Sequence, residues 1–211
     1  MRGVVVVGEL RRAVCEQARV VVELGLVLGT SGNVSVRRGD RVVVTPGGHP
    51  LDRLEPEMCP VLDLDGTVIE GELAPSSETP LHLGVYRGSA MEAVVHTHSV
   101  YGTAVATSLT ALPPVHYNTM LLGGPIRVAP YATFGTPELA ANVLAALDGR
   151  KGALMANHGA VALGHDLGEA VENARLLEWL CEVYVHARAI GEPRVLTREE
   201  LEAARRRYSL T

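Results

Sequence analysis

The chain has 211 residues, 47% of them hydrophobic, and a formal net charge of −5. This length and apolar content suit one sizeable core and predict a single domain over residues 1–211. The acidic balance excludes the basic field or stripe by which proteins grip nucleic acid, and the lack of any run of about 20 apolar residues excludes a membrane-spanning helix.

At the start, Met1 to Val7 offers only four valines as an apolar block, too short for a signal-peptide core. Cys15, Cys59 and Cys181 are odd in number and widely spaced, with no Cys-x-x-Cys pair. They suit neither a disulfide framework nor a thiolate zinc site, and a cytoplasmic location is expected.

Residues 9–24 predict an amphipathic helix, with Leu10, Val14, Val21 and Leu24 on one stripe and Arg11, Arg12, Gln17 and Arg19 off it. It ends near Gly25 to Gly29. Residues 33–45 predict two strands around Arg38-Gly39-Asp40, and residues 61–69 a second hairpin turning at Asp65-Gly66. Helix is expected over 79–87, a buried strand over 93–97, helix over 100–107, and strand over 126–129. Helix is expected again over 137–147, where the proline falls at an acceptable early position, then strand over 152–156. The longest helix is predicted at 167–190, and Thr197-Arg198-Glu199-Glu200 has the pattern of a capping box leading into the last one. Hairpins first and helices between later strands imply an α+β arrangement: helices covering a mixed, mainly antiparallel sheet.

His96-Thr97-His98 closes the apolar run Ala93-Val94-Val95. Residues two apart on a strand share a face and lie roughly 6.6 Å apart along it, so two imidazoles can converge on one ion. Glu78 opens the helix at 79–87 and His158 follows the strand at 152–156; both are terminal positions, where side chains meet a cleft. The four together predict a metal site, with zinc suited to nitrogen ligands and an open position for water or substrate. A bare His-x-His is also common at a sheet rim. The remaining histidines, His49, His82, His116, His165 and His186, lack such a setting. Most are expected at the surface or the core edge; His82, four residues after Glu78, is a weaker ligand candidate.

Gly29-Thr30-Ser31-Gly32-Asn33 follows the first helix and precedes a strand. Successive N–H groups in such a turn can form an anion-binding nest, although it is neither a Walker loop nor a dinucleotide fingerprint. Taken alone it is an ordinary helix-ending loop. Thr45-Pro46-Gly47-Gly48 is a second glycine turn, and Ser76-Ser77 puts two hydroxyls at a helix N-terminus, where N–H groups favour an anion. Beside a metal, the three would suit a phosphorylated substrate.

In this order, GTSGNVS, TPGG, PSSETPLHLGVYR, VVHTHSVYGTA, HYNTM, PYATFGT and NHGAVALG resemble the class II aldolase/adducin family over nearly the whole chain. The resemblance implies a three-layer α/β/α fold and a Zn²⁺ held by His96, His98 and His158. It makes Glu78 a ligand at rest and the catalytic base in turnover. It places phosphate on Thr30, Gly32, Asn33, Gly48, Ser76 and Ser77, a proton-donating tyrosine at Tyr117, and an aldehyde pocket at Phe134 and Tyr208, the latter from a mobile tail. It implies a homotetramer with sites between subunits. Gly47 departs from the family pattern, which has a threonine there, and leaves that position only its backbone for an anion.

The activity implied is reversible cleavage of a ketose 1-phosphate, L-fuculose 1-phosphate foremost, to dihydroxyacetone phosphate and an aldehyde, L-lactaldehyde. Removing a proton beside a ketone leaves negative charge that a Lewis acid must stabilise, and a tuned carboxylate can take that proton. Within the family, the rivals are an L-ribulose-5-phosphate 4-epimerase, expected to carry Asp where Glu78 stands, and a methylthioribulose-phosphate dehydratase. An adducin-like interaction module would have no use for three histidines and Glu78. A cupin-type site would need a glutamate soon after His98.

Overall fold

Successive residues of a strand face opposite sides of a sheet, and in β1 (Asn33–Arg38) this alternation separates two chemistries. Val34 and Val36 face a core shared with α1 (Arg2–Glu23), whereas Asn33 and Ser35 bond side chains from α2 (Thr79–Gly88) and the residue before it. The structure, a computed structural model, describes residues 2–208, with side chains from Val7 onward.

Among the described residues, the sheet has nine strands. They are β1, β2 (Arg41–Val44), β3 (Val61–Asp63), β4 (Val68–Glu70), β5 (Ala93–Thr97), β6 (Ala111–Leu112), β7 (Ile126–Ala129), β8 (Gly152–Met155) and β9 (Gly159–Gly164). Their spatial order is β4-β3-β2-β1-β5-β9-β8-β7-β6. Only β7 and β8 pair in parallel; every other neighbouring pair is antiparallel. One face carries α1, α3 (Val100–Ser108) and α5 (Leu167–Ile190), and the other carries α2 and α4 (Pro137–Leu147). The result is the expected three-layer α/β/α fold around a mixed, mainly antiparallel sheet.

The last helix, α6 (Arg198–Tyr208), packs on a 3-10 turn at Tyr117–Leu122. Its start has the reciprocal bonds of a capping box: the Glu200 N–H donates to Thr197 Oγ1 at 3.2 Å, and the Thr197 N–H to the Glu200 carboxylate at 2.8 Å.

Several features depart from the expected elements, the short strand β6 among them. Helix α1 begins at Arg2, well before residue 9. Strand β9, unforeseen, lies between β5 and β8 at the centre of the sheet. Its sequence GAVALG is buried at every position, so it lacks the in-out alternation that marks a half-exposed strand. Cys15 and Cys59, far apart in sequence, meet with their sulfurs 3.7 Å apart, both as free thiols.

Small residues in β9 permit close approach. A Cβ on Gly159 would lie 2.1 Å from the Thr97 carbonyl oxygen, a backbone atom that cannot swing aside. Gly159→Ala is therefore expected to destabilise the protein by about 3 kcal/mol, the upper end of the usual overpacking cost. Chemical denaturation would measure this, and a loss below about 0.5 kcal/mol would contradict the close packing of β5 on β9.

Candidate active site

Alternation along β5 turns His96 toward the α2 face with Val94, while Ala93 and Val95 join the opposite core. His98, just past the strand end, is held by its N–H on the Leu26 carbonyl at 3.0 Å. His158 lies in the turn joining β8 to β9, where Asn157 reverses the chain at φ +53°, a left-handed conformation that asparagine tolerates. Glu78 caps α2, whose first turn carries Pro80. Three segments thus deliver four side chains to one point, with ligand atoms all within 4.8 Å of one another.

The arrangement fits a divalent cation. His96 Nδ1 lies 2.9 Å from the Ala160 carbonyl, which can only accept, so Nδ1 carries the hydrogen and a neutral ring leaves Nε2 bare. That nitrogen faces Glu78 Oε2 at 2.9 Å and His98 Nε2 at 3.0 Å. The bare His96 nitrogen thus faces a carboxylate oxygen, a geometry that a shared cation relieves. His158 Nε2 stands 3.5 Å from Glu78 Oε1. Oε1 is buried without a hydrogen-bond partner, an orphan that a metal would satisfy. A carbonyl fixing the remote nitrogen of a ligating histidine is the usual outer support of a metal site.

Charge states agree with that fit. Burial, with the neighbouring His96 and His158, lowers the His98 pKa to about 4 against the opposing pull of Glu78. His158 is shifted downward by burial and His96. For Glu78, burial pushes upward, but His96, His158 and the Asn33 donor outweigh it and hold the carboxyl well below its usual range.

A cavity of about 390 Å³ opens beside the cluster. Thr30, Gly32, Asn33, Gly48, Ser76 and Ser77 all line it, together with Glu78, His98, His158 and Phe134. The three turns separated in sequence therefore meet in one wall. Gly32 is required there: at φ +80°, its Cβ would strike Val27 Cγ1 at 2.5 Å and the His96 carbonyl at 2.9 Å. The expectation for Gly47 needs correcting, because its N–H already bonds the Ala74 carbonyl at 3.2 Å. No lysine or arginine lines the cavity among the described residues, so its polar contacts are hydroxyls, amides and backbone.

Phe134 is 67% exposed at the rim, beside Tyr131 and Ala132. Tyr131 and Asn157 also line the cavity and had not been singled out, although both fall within the segments that carry the resemblance. Tyr117 and Tyr208 do not line it; Tyr117 is half-exposed on its 3-10 turn, its ring stacked on His116. A larger groove of about 700 Å³ between α2, α4 and the Met120–Gly123 segment holds none of the four ligands.

His82 is corrected on both counts. It is completely buried, not at an edge, and its ring nitrogens bond Asn33 and Ser35, so neither is available to a metal. His49 and His116 are half-buried and His165 and His186 exposed, as expected.

The family model for the Class II Aldolase and Adducin N-terminal domain matches residues 12–185. The chain belongs to the class II aldolase/adducin family. A 5-methylthioribulose-1-phosphate/5-deoxyribulose-1-phosphate aldolase of Rhodospirillum rubrum is 40% identical over 92% of this chain and 88% of its own length. A 5-deoxy-D-ribulose 1-phosphate aldolase of Bacillus thuringiensis is 36% identical over 94% of each. An L-fuculose phosphate aldolase of Escherichia coli is 39% identical over 92% of this chain and 91% of its own. The solved structure of an L-fuculose 1-phosphate aldolase superposes with a TM-score of 0.92 at 35% identity, covering 95% of this chain and 96% of that one. As a member of this family of aldolases, the chain is a lyase, and the family's metal dependence accords with the Glu78 and histidine cluster.

Proposed function

We propose that residues 1–211 act as one domain, a zinc-dependent aldolase reversibly joining dihydroxyacetone phosphate to a short aldehyde to form a ketose 1-phosphate. The observation that carries this reading is the meeting of Glu78, His98 and His158 with the three phosphate-type turns in one cavity. His96, His98, His158 and Glu78 would hold the ion, and three imidazoles with one carboxylate suit the four-coordinate preference of Zn²⁺. When bound, it would supply Lewis-acid polarisation of the ketone oxygen, worth several kcal/mol of transition-state charge stabilisation.

The protein's own groups do the rest. In synthesis, Glu78 removes the proton from the carbon beside the ketone, and Tyr117 gives a proton to the aldehyde oxygen; in cleavage both transfers reverse. Hydroxyls of Thr30, Ser76 and Ser77, the Asn33 amide and the turns at Gly32 and Gly48 hold the phosphate, whose remote binding energy orients the reacting carbons. Phe134 borders the aldehyde end, joined by Tyr208 from the C-terminal segment. Tyr117 lies outside its own chain's cavity, which supports a homotetramer in which the tyrosine serves a neighbouring site. No helix among the described residues is long and apolar enough to cross a membrane, and the free thiols Cys15, Cys59 and Cys181 accord with a cytoplasmic setting.

For the sugar, L-fuculose 1-phosphate is the first reading. The names of two relatives favour a second, 5-deoxyribulose 1-phosphate or its methylthio analogue. Breaking the C3–C4 bond of any of these leaves a short aldehyde ending in an apolar group, and Ala132 and Phe134 suit such an end. Incubating the metal-loaded protein with all three, and with L-ribulose 5-phosphate, should yield dihydroxyacetone phosphate from at least one of the 1-phosphates. Epimerisation of the 5-phosphate without any cleavage would transfer the assignment to the epimerases.

One divalent metal per chain is expected by elemental analysis, with zinc predominant. Replacing His96, His98 or His158 by Ala should weaken binding sharply. Protein without metal that keeps full activity in chelator would overturn the metal assignment.

A further inference from the structure

Behind Glu78, a file of polar side chains runs from the cavity into the core between β1 and α2. Asn33 Nδ2 donates to Glu78 Oε2 at 3.1 Å, and Asn33 Oδ1 lies 2.6 Å from His82 Nε2. His82 Nδ1 lies 2.6 Å from Ser35 Oγ, which in turn meets the Tyr86 hydroxyl at 2.5 Å. All five residues are buried, His82 and Ser35 completely. Two periodicities build the file: Asn33 and Ser35 share one face of a strand, while Glu78, His82 and Tyr86 recur at every fourth residue along α2.

The hydrogens along this file have one consistent direction. An ionised carboxylate only accepts, so Asn33 must turn its Nδ2 to Glu78 and its Oδ1 to His82. His82 must then carry hydrogen on Nε2, and a neutral ring leaves Nδ1 to accept from Ser35. Ser35, having given its one hydrogen, must accept from Tyr86. Burial holds the His82 pKa down to about 3 and keeps the ring neutral. A buried polar file is costly when half satisfied, but when every member is paired it specifies a single geometry.

We infer that His82 is a positioning residue for the aldol reaction: its Nε2–H fixes the Asn33 amide so that Nδ2 holds Glu78 Oε2, leaving Oε1 as the oxygen free for chemistry. The inference rests on the reading of Glu78 as the base. If the amide were free to flip, its oxygen would face the carboxylate, lone pairs against lone pairs, and Glu78 would lose both its donor and its orientation.

The test compares His82→Leu, which removes the donor but keeps bulk, with His82→Gln, which sets an amide N–H near the position of Nε2. The readout is solvent exchange of the dihydroxyacetone phosphate C–H proton at full metal content. His82→Leu should lower that rate about 10- to 100-fold at saturating substrate, the usual cost of losing an outer support. His82→Gln should recover most of it. Wild-type exchange in His82→Leu, or equal losses in both variants, would overturn the inference.

Nitrogen-15 NMR of the metal-free protein should find His82 protonated at Nε2 and bare at Nδ1; the opposite tautomer would also overturn it. If His82→Leu does not fold, Ser35→Ala removes the hydrogen bond that keeps Nδ1 bare. About tenfold slower exchange is then expected, and an unchanged rate overturns the proposal. Glu78→Gln run alongside separates the two readings. Exchange surviving in Glu78→Gln would remove the base itself, whereas exchange lost there but kept in His82→Leu would remove only the role of His82.

Discussion

Glu78→Gln is expected to slow solvent exchange of the dihydroxyacetone phosphate C–H proton by about 10²- to 10⁴-fold, the contribution usual for a positioned general base. The substitution keeps the shape of the side chain, and its amide oxygen can still accept from Asn33 Nδ2, so the wall formed by Thr30, Gly32, Ser76 and Ser77 should persist. Three imidazoles remain for the metal, the protein-ligand count of a catalytic zinc site. The loss should therefore fall on the proton transfer and not on phosphate binding. Wild-type exchange in a variant that retains its metal would make Glu78 a structural ligand only. Tyr117→Phe supplies the contrast: it should spare the exchange and impair the step at the aldehyde oxygen, because the proton it is assigned belongs to that oxygen.

The four candidate metal ligands were legible in sequence because each sits at an element boundary that local patterns mark. His96 and His98 end an apolar strand, Glu78 precedes a proline-started helix, and His158 follows a strand. Their convergence was expected as a metal site, but the packing that produces it was not legible, since it depends on β9 lying against β5, and β9 carries no alternation because both of its faces are buried. The same strand supplies the Ala160 carbonyl that fixes His96. His82 was misplaced for a related reason. A histidine among apolar residues on α2 reveals its partners only when Asn33 and Ser35, more than 40 positions earlier, are known to face the same helix. The pairing of an i, i+2 polar pair on one strand with polar residues at i, i+4 and i+8 on one helix was present in the sequence, but nothing local ties the two together. The wall proposed to hold phosphate was legible turn by turn, and the sheet joins its parts by bringing the start of β1, the turn after β2 and the start of α2 to one cavity.

Mixing two inactive variants, His96→Ala and Tyr117→Phe, under conditions that exchange subunits should restore activity from near zero to roughly a quarter of the wild-type value. The expectation follows from where Tyr117 stands. It is 51% exposed on the Tyr117–Leu122 turn, stacked on His116, and does not line the cavity that Glu78, His98 and His158 share. A heterologous ring would put the metal half of each site on one chain and the tyrosine half on the next. With equal random mixing, a site receives an intact histidine half the time and an intact tyrosine half the time, independently, so roughly one site in four has both. If both groups acted from one chain, every subunit would carry one defect and no site would recover. Absence of rescue despite demonstrated subunit exchange would therefore exclude the shared site. Tyr117 would then have to reach its own chain's cavity by moving the turn that now holds it outside, or it would have no part in the reaction.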